Sequence, residues 1–349
     1  MTTVSFESGS QLTSIGPFLF ENSGLATITI PSSVTSMGNY AFYLCSSLTS
    51  VSFESGSQLT SIGQHTFRQS GLTTITIPSL VTSMGNYAFD ECSSLTSVIF
   101  ESGSQLTSIG EYALYQSGLT TITIPASVTS IGNYAFQQCS SLSSVIFESE
   151  SQLTSIGQSV FRHSGLTTIT IPASVTSIST YAFFQCYSLT SVIFESGSQL
   201  ESIGSGAFNS TDLTTITLPV YVTSIDNHAF YNNSSLTSLI VGLSLPSFGV
   251  NSLLDTSSPL TLTISPFTAN DSNYTDGSTV TLGNKSVTIN VDGSLNLLPL
   301  SMNDFSIQKE SEETNYEINL EDYTNLDDRA HDLSYPVSYT HLTLPTTKN

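Results

Sequence analysis

The chain has 349 residues, with 27 Asp or Glu against 6 Lys or Arg, a formal net charge of −21 carried by only 9% of positions. That balance argues against a nucleic-acid partner, because a phosphate backbone needs a Lys/Arg footprint and the chain up to residue 241 holds only Arg68 and Arg162. A membrane span is also excluded from this stretch of chain: the nearest approach to a run of about 18 apolar residues, 236–254, is interrupted by serines, Gly242, Pro246 and Gly249.

From its first residues the chain is periodic. Cys45, Cys92, Cys139 and Cys186 stand 47 residues apart and mark a block repeated almost letter for letter. Each block holds two similar units of 24 and 23 residues, one reading like 48–71 (LTSVSFESGSQLTSIGQHTFRQSG) and one like 72–94 (LTTITIPSLVTSMGNYAFDECSS). Units of that length opening with L-x-x-V/I-x-F/I predict a leucine-rich solenoid, each unit forming one coil. Coils open at Met1, Leu25, Leu48, Leu72, Leu95, Leu119, Leu142, Leu166, Leu189, Leu213 and Leu236, eleven in all. In the coil of Leu72, strand alternation turns Leu72, Ile75 and Ile77 inward and Thr73, Thr74 and Thr76 outward, and Val81, Met84, Ala88 and Phe89 complete the lining. Burying about seven apolar side chains contributes roughly 10 to 20 kcal/mol, against ~1 to 2 kcal/mol for each backbone residue ordered. One coil cannot fold alone, so the coils must stack into one parallel sheet with strands ~4.8 Å apart.

Past residue 241 the frame is lost. Residues 242–264 read as a degenerate closing coil with Leu260, Leu262 and Ile264 as its strand. Residues 265–336 read as a β-rich module: Val280 and Leu282, Val287, Ile289 and Val291, and Leu295 and Leu297 alternate with polar residues. Gly283-Asn284 and Asp292-Gly293 supply turns between them, as in a β-meander. Within it, 303–332 is acidic and is either the polar faces of further strands or a solvated linker. The string VSYTHLTLPTT (337–347) shares nothing with what precedes it and resembles the translation of a sequencing adapter. On that reading 337–349 is a non-biological tail and the natural chain continues beyond about Pro336. Met1 sits where other coils place a core Leu, which reads as an internal or artificial start, with signal and anchor outside this fragment. An uncapped first coil then leaves a strand edge open to self-association.

The strings ITIPASVTSIGNYAFQQCSSL (122–142) and ITIPASVTSISTYAFFQCYSL (169–189) resemble the BspA-like leucine-rich repeats, with their I-P-x-x-V-T-x-I-G-x-x-A-F-x-x-C pattern. The pattern departs at Ser179 and Asp226, which replace Gly, and at Asn233, which replaces Cys. The resemblance implies a parallel-stranded solenoid on secreted or surface-attached proteins, associated with adhesion to host matrix proteins and other cells, and brings no catalytic residues.

Columns of equivalent residues carry the remaining chemistry. Cysteines two coils apart are separated by roughly 10 Å, beyond the ~7 Å limit for a disulfide, and they do not converge as zinc ligands must. They read as small buried packing residues. Glu7, Glu54, Glu101, Glu148 and Glu195 follow the strand in odd coils, where even coils have Pro31, Pro78, Pro125, Pro172 and Pro219. Carboxylates so spaced cannot share a calcium ion, so they read as solvated turn-edge charges that discourage lateral pairing. His65, His163 and His228 fall in different coils, and no nucleotide-binding or hydrolase motif occurs. Neither metal, cofactor nor catalytic residue is expected.

Recognition remains, with two candidate surfaces. On the strand face Ile99, Ile146, Ile193 and Ile240 occupy outward sites, either as a binding track or through β-propensity and Thr-Ile packing. The other surface lies where copies differ, notably at Arg68, Tyr115, Arg162 and Phe184; selection and drift both account for that variation. The sequence thus predicts an extracellular or cell-surface, non-enzymatic binding or adhesion protein whose partner is a protein or glycoprotein such as host extracellular matrix. A structural spacer presenting a further domain and an intracellular interaction scaffold are the alternatives.

Overall fold

Leucines that open each unit, and the isoleucines and valines that follow at period 2, are buried throughout, and they define a coil whose interior is a stack of identical rows. The computed structural model describes residues 2–242, 245–257 and 260–264, together with backbone strands at 279–282, 285–291, 307–309 and 316–318. Expectations for 265–278, the Gly283-Asn284 turn, 292–306, 310–315 and 319–349, including the 337–349 tail, fall outside the described residues. Two units are distinguished, 1–293 and 294–349; the second contains an antiparallel pair, Ile307–Lys309 with Tyr316–Ile318.

The first unit is the solenoid, with about eleven coils and no helix among the described residues. The eight fully buried phenylalanines Phe42, Phe67, Phe89, Phe136, Phe161, Phe183, Phe208 and Phe230 run along its interior, most of them stacked ring on ring, as Phe42 is on Phe67 at 5.2 Å. From the second coil on, the opening strand is four residues long, such as Thr74–Ile77 and Ser97–Phe100, or three at Thr215–Thr217, with the predicted in-out alternation. Beside this expected sheet runs a second parallel ladder of two-residue strands, beginning with Ser14–Ile15, Ser36–Met37 and Ser61–Ile62. After Ser238–Val241, the strand Thr261–Ile264 continues the main sheet, and a hairpin of Thr279–Leu282 and Lys285–Val291 pairs alongside it.

The main sheet is not uniform. From an even coil to the next odd one, strands pair over four residues, as in Thr74–Ile77 with Ser97–Phe100. From odd to even, pairing shrinks to Ser50–Val51 against Thr74–Ile75, and beyond that Ser97–Phe100 and Thr121–Ile124 belong to separate sheets. Proline explains the asymmetry. Glu54, Glu101, Glu148 and Glu195 donate their backbone N–H to Ile30, Ile77, Ile124 and Ile171 of the preceding coil, but at the same place even coils carry a proline, which has no N–H. Where Ser265 follows the strand instead and the register advances by 23 residues rather than 24, Ser238–Val241 and Thr261–Ile264 pair along their full length.

The glutamate column has a definite structural role. Carboxylates of Glu54, Glu101, Glu148 and Glu195 accept the backbone N–H of Ser32, Ser79, Ala126 and Ala173, the residue after proline in the coil before, at 2.9 to 3.0 Å. The cysteines likewise do more than fill space. All four are buried free thiols. Each Sγ donates to a carbonyl of the preceding coil, from Cys45 to Phe20 through Cys186 to Phe161, at 2.9 to 3.0 Å. Each also lies within 3.2 to 3.4 Å of a serine hydroxyl at Ser23, Ser70, Ser117 or Ser164. Asn233 takes over in the last such coil, its Nδ2 donating to the Phe208 carbonyl at 2.8 Å.

Candidate functional site

Two faces of the solenoid carry the side chains singled out by the sequence. On the strand face Ile99, Ile146 and Ile193 are 52 to 53% exposed, while Ile240 is half-buried. Their cross-strand neighbours are Thr76, Thr123, Thr170 and Thr217. Consecutive isoleucines are therefore separated by a threonine coil, roughly 10 Å apart, and form spaced points. Ile99 and Ile146 each wall a shallow crevice where the strands part, of about 280 and 310 Å³, floored by Val98 and Ile122 or Val145 and Ile169 and rimmed by Glu148 or Glu195.

The opposite side of each coil is a chain of turns. Here the interstrand polarity reverses. Tyr87, Phe89 and Glu91 donate forward to the carbonyls of Glu111, Ala113 and Tyr115, whereas strand-side donors such as Thr96 point back, to Thr73. Two positions per coil, four residues apart, hold left-handed backbone, such as Tyr40 and Leu44, His65 and Gln69, or Tyr87 and Glu91, and Gly206 is the one glycine among them. That conformation costs about 1 kcal/mol or more at each non-glycine residue, and it aims the first of the pair outward along the face.

What stands there is a column of aromatic rings: Phe18, Tyr40, His65, Tyr87, Tyr112 and Tyr134. Successive centroids are 4.5 to 4.8 Å apart and the planes lie within 12° of parallel. Ser159 and Gly206 interrupt the column, and Tyr181 and His228 continue its line. A second row, three residues on, sets rings edge-on against the first: Tyr43 on Tyr40, Tyr115 on Tyr112, Phe184 on Tyr181 and Tyr231 on His228. The column was not singled out from the sequence. Its signal was an aromatic residue recurring at alternate spacings of 22 and 25 residues from Phe18 to Tyr134, a step hidden by tracking only the 47-residue block.

Electrostatics on this face concentrate at the two arginines. Arg68 Nε lies 2.8 Å from Asp90 Oδ2, off-line for a hydrogen bond, and its Nη2 donates to Glu91 Oε1 at 3.1 Å. Its guanidinium also approaches the Tyr43 ring at 5.9 Å. Asp90 is 2% exposed, and burial outweighs the arginine to push its carboxyl up to about 6. Glu91 goes the other way, held below the usual range mainly by the hydrogen bond from Gln69. Arg162 is arranged differently: its guanidinium sits 4.9 Å over the Phe184 ring, and its buried Nε has no hydrogen-bond partner. Tyr115 donates its hydroxyl to Gln138 Oε1 at 2.8 Å, and His163 meets Phe184 edge-on at 6.0 Å. Burial, then the Arg162 charge, lowers the His163 pKa. The structure thus brings Arg162 and Phe184 together, sets Tyr115 in the same row, places Arg68 in its own ion-pair cluster, and puts the isoleucines on another face.

The repeat geometry identifies the chain. A model of the BspA type leucine rich repeat region matches six copies over residues 1–96, 60–190 and 154–274, and the chain belongs to this family. Family and fold are those of a protein-binding repeat scaffold rather than of an enzyme. Among solved structures it is similar to the pneumococcal vaccine antigen PcpA, at 22% identity over 77% of this chain and 79% of that one, with a TM-score of 0.45. A leucine-rich repeat protein from Bacteroides ovatus gives 24% identity over 74% and 84%, with a TM-score of 0.41. A leucine rich cell surface protein from Faecalibacterium prausnitzii gives 27% over 70% and 80%, with a TM-score of 0.36. Comparison with curated proteins returned no match.

Proposed function

We propose that this protein is a non-enzymatic, extracellular binding module and that it recognises its partners through the turn face. Host matrix glycoproteins and the surfaces of other cells are the partners in view, and family membership supports that setting. The observation that carries the reading is the aromatic column with its flanking row of Tyr, Phe and Arg. The inner rings Tyr40, His65, Tyr87 and Tyr112 are held by stacked neighbours fore and aft, so little of their side-chain freedom remains to be lost on binding. Tyr and Arg are also the residue types that dominate interface energetics. The strand-face isoleucines make a weaker case, because threonine coils divide them and contiguity is what marks an apolar binding surface.

Two variants of the same solenoid test the choice against a panel of matrix proteins and cells. Tyr43→Gln, Tyr115→Gln and Phe184→Gln together install the residue that Gln137 already places in that row. Ile99→Thr, Ile146→Thr and Ile193→Thr together install the residue that even coils carry at the outward site. The expected result is at least a ~tenfold loss of affinity in the first, with two or three buried contacts removed, and no change in the second. Loss in the second alone would move recognition to the strand face, and no binding by any version would favour the structural spacer.

A further inference from the structure

Arg68 and Arg162 occupy the same position in coils two 47-residue blocks apart, so the repeat supplies its own control. At the first site the following coil provides Asp90 and Glu91, and both carboxylates engage the arginine. At the second, the equivalent residues are Phe184 and Gln185. Arg162 therefore keeps the position but loses both counter-charges, and an aromatic ring lies where a carboxylate would be. In the eleven repeat coils, up to residue 241, these are the only Lys or Arg side chains, in a chain of net charge −21.

We infer that Arg162 with Phe184 forms a carboxylate-binding subsite of the turn face, occupied by an Asp or Glu side chain from an acidic segment of a partner protein. The inference rests on the turn face being the recognition surface. Three features support it. A guanidinium is a planar fork suited to bidentate carboxylate recognition, and Arg68 demonstrates that this backbone position presents it to carboxylates one coil away. Phe184 covers one side of the guanidinium, which lowers the local dielectric and strengthens a charge pair formed there. Arg162 Nε is buried and has no hydrogen-bond partner, a donor that no neighbouring coil satisfies.

A protein carboxylate fits better than the acid group of a sugar. Pyranose rings are held on open aromatic faces, and two of those nearest the guanidinium are taken on one side: Tyr112 covers Tyr134 and Arg162 lies over Phe184.

Titration calorimetry at low ionic strength, with a short synthetic peptide of alternating Glu and Ser, tests the subsite on the intact chain. The wild type is expected to bind at one site. Arg162→Gln is expected to weaken that site at least ~tenfold, the scale of a charge-assisted hydrogen-bond pair. The double change Phe184→Asp with Gln185→Glu is expected to abolish it while Arg162 remains, because it recreates the self-neutralised arrangement. The reverse double change, Asp90→Phe with Glu91→Gln, is expected to create a second site and raise the stoichiometry to two. Both doubles copy residues the repeat already carries at those positions, and circular dichroism confirms that each variant is folded. Unchanged binding by Arg162→Gln, a stoichiometry that stays at one in the reverse double, or tighter binding of sialyllactose than of the peptide would each overturn the proposal. Should the peptide fail to bind while Tyr43→Gln with Tyr115→Gln still removes a panel partner, the subsite falls and the recognition face stands.

Discussion

Cysteine and aspartate in this solenoid illustrate how a single position is tuned by the coil before and after it. Burial pushes the thiols of Cys92, Cys139 and Cys186 up to about 11, and a thiol that keeps its proton is a poor nucleophile. The folded protein is expected to resist iodoacetamide at pH 8 and to take up four labels once unfolded, as read by intact mass. Replacing all four with Ser is expected to leave the fold intact at about 1 kcal/mol per site, since a hydroxyl can donate to the same carbonyl. An intramolecular disulfide in the native protein would contradict the spacing of the column.

Asp90 makes a pH prediction of definite sign. Its folded pKa, about 6, lies above the ordinary 3.8, so the folded state holds its proton more tightly than the unfolded one. Its contribution to stability is therefore greatest below about pH 4 and is lost as pH rises through 6. Asp90→Asn removes that titration. Urea melts of the wild type relative to Asp90→Asn are expected to lose about 1 to 3 kcal/mol between pH 4 and pH 7; a flat difference across that range would show that Asp90 titrates normally.

Strands and turns obey local rules that the repeat makes visible by breaking them once. Odd coils turn on a left-handed glycine, Gly9, Gly56, Gly103 and Gly197 at φ of 75° to 77°, except that Glu150 stands in the fourth at 61°. The ladder of short strands divides at that place, between Ser130–Ile131 and Ser155–Ile156. Because a side chain is disfavoured in that conformation, Glu150→Gly is expected to stabilise the solenoid by about 1 kcal/mol in chemical denaturation. No gain would place the cause of the break elsewhere. The glutamate column gives the opposite test: Glu101→Ala strands the N–H of Ser79 and is expected to cost about 1 to 2 kcal/mol. Glu111→Ala, at an exposed site, is expected to cost within ~0.5 kcal/mol. Equal costs would deny the cap.

The molecule as a whole was readable in its sequence as far as the repeat carried it. Coil boundaries, the buried rows of Leu72, Ile75, Ile77, Val81, Met84, Ala88 and Phe89 and the parallel stacking all follow from a period and an alternation. The short-strand ladder was harder to see, because two residues such as Ser61–Ile62 are too few for alternation to register. Interruption of the main sheet was implicit in Pro78 and Pro125, but it emerges only when each proline is set against the Glu N–H that fills its place one coil later. The aromatic column escaped for another reason. Tyr40 and His65 are unlike as letters and unequally spaced, and only the left-handed turns that both adopt bring their rings into contact at 4.5 Å. Likewise Arg68 and Arg162 read as equals along the chain, and the identity of residues 22 and 23 positions later separates a neutralised arginine from one facing an aromatic ring.

Hydroxyl-radical footprinting of the solenoid, alone and bound to a partner from the matrix or cell panel, tests the assignment of the recognition face most directly, because it reads both faces in one experiment. Protection on binding is expected at Tyr43, Tyr115 and Phe184, with Ile99, Ile146 and Ile193 as reactive as in the free protein. Protection of the isoleucines with the turn-face aromatics left open would contradict it.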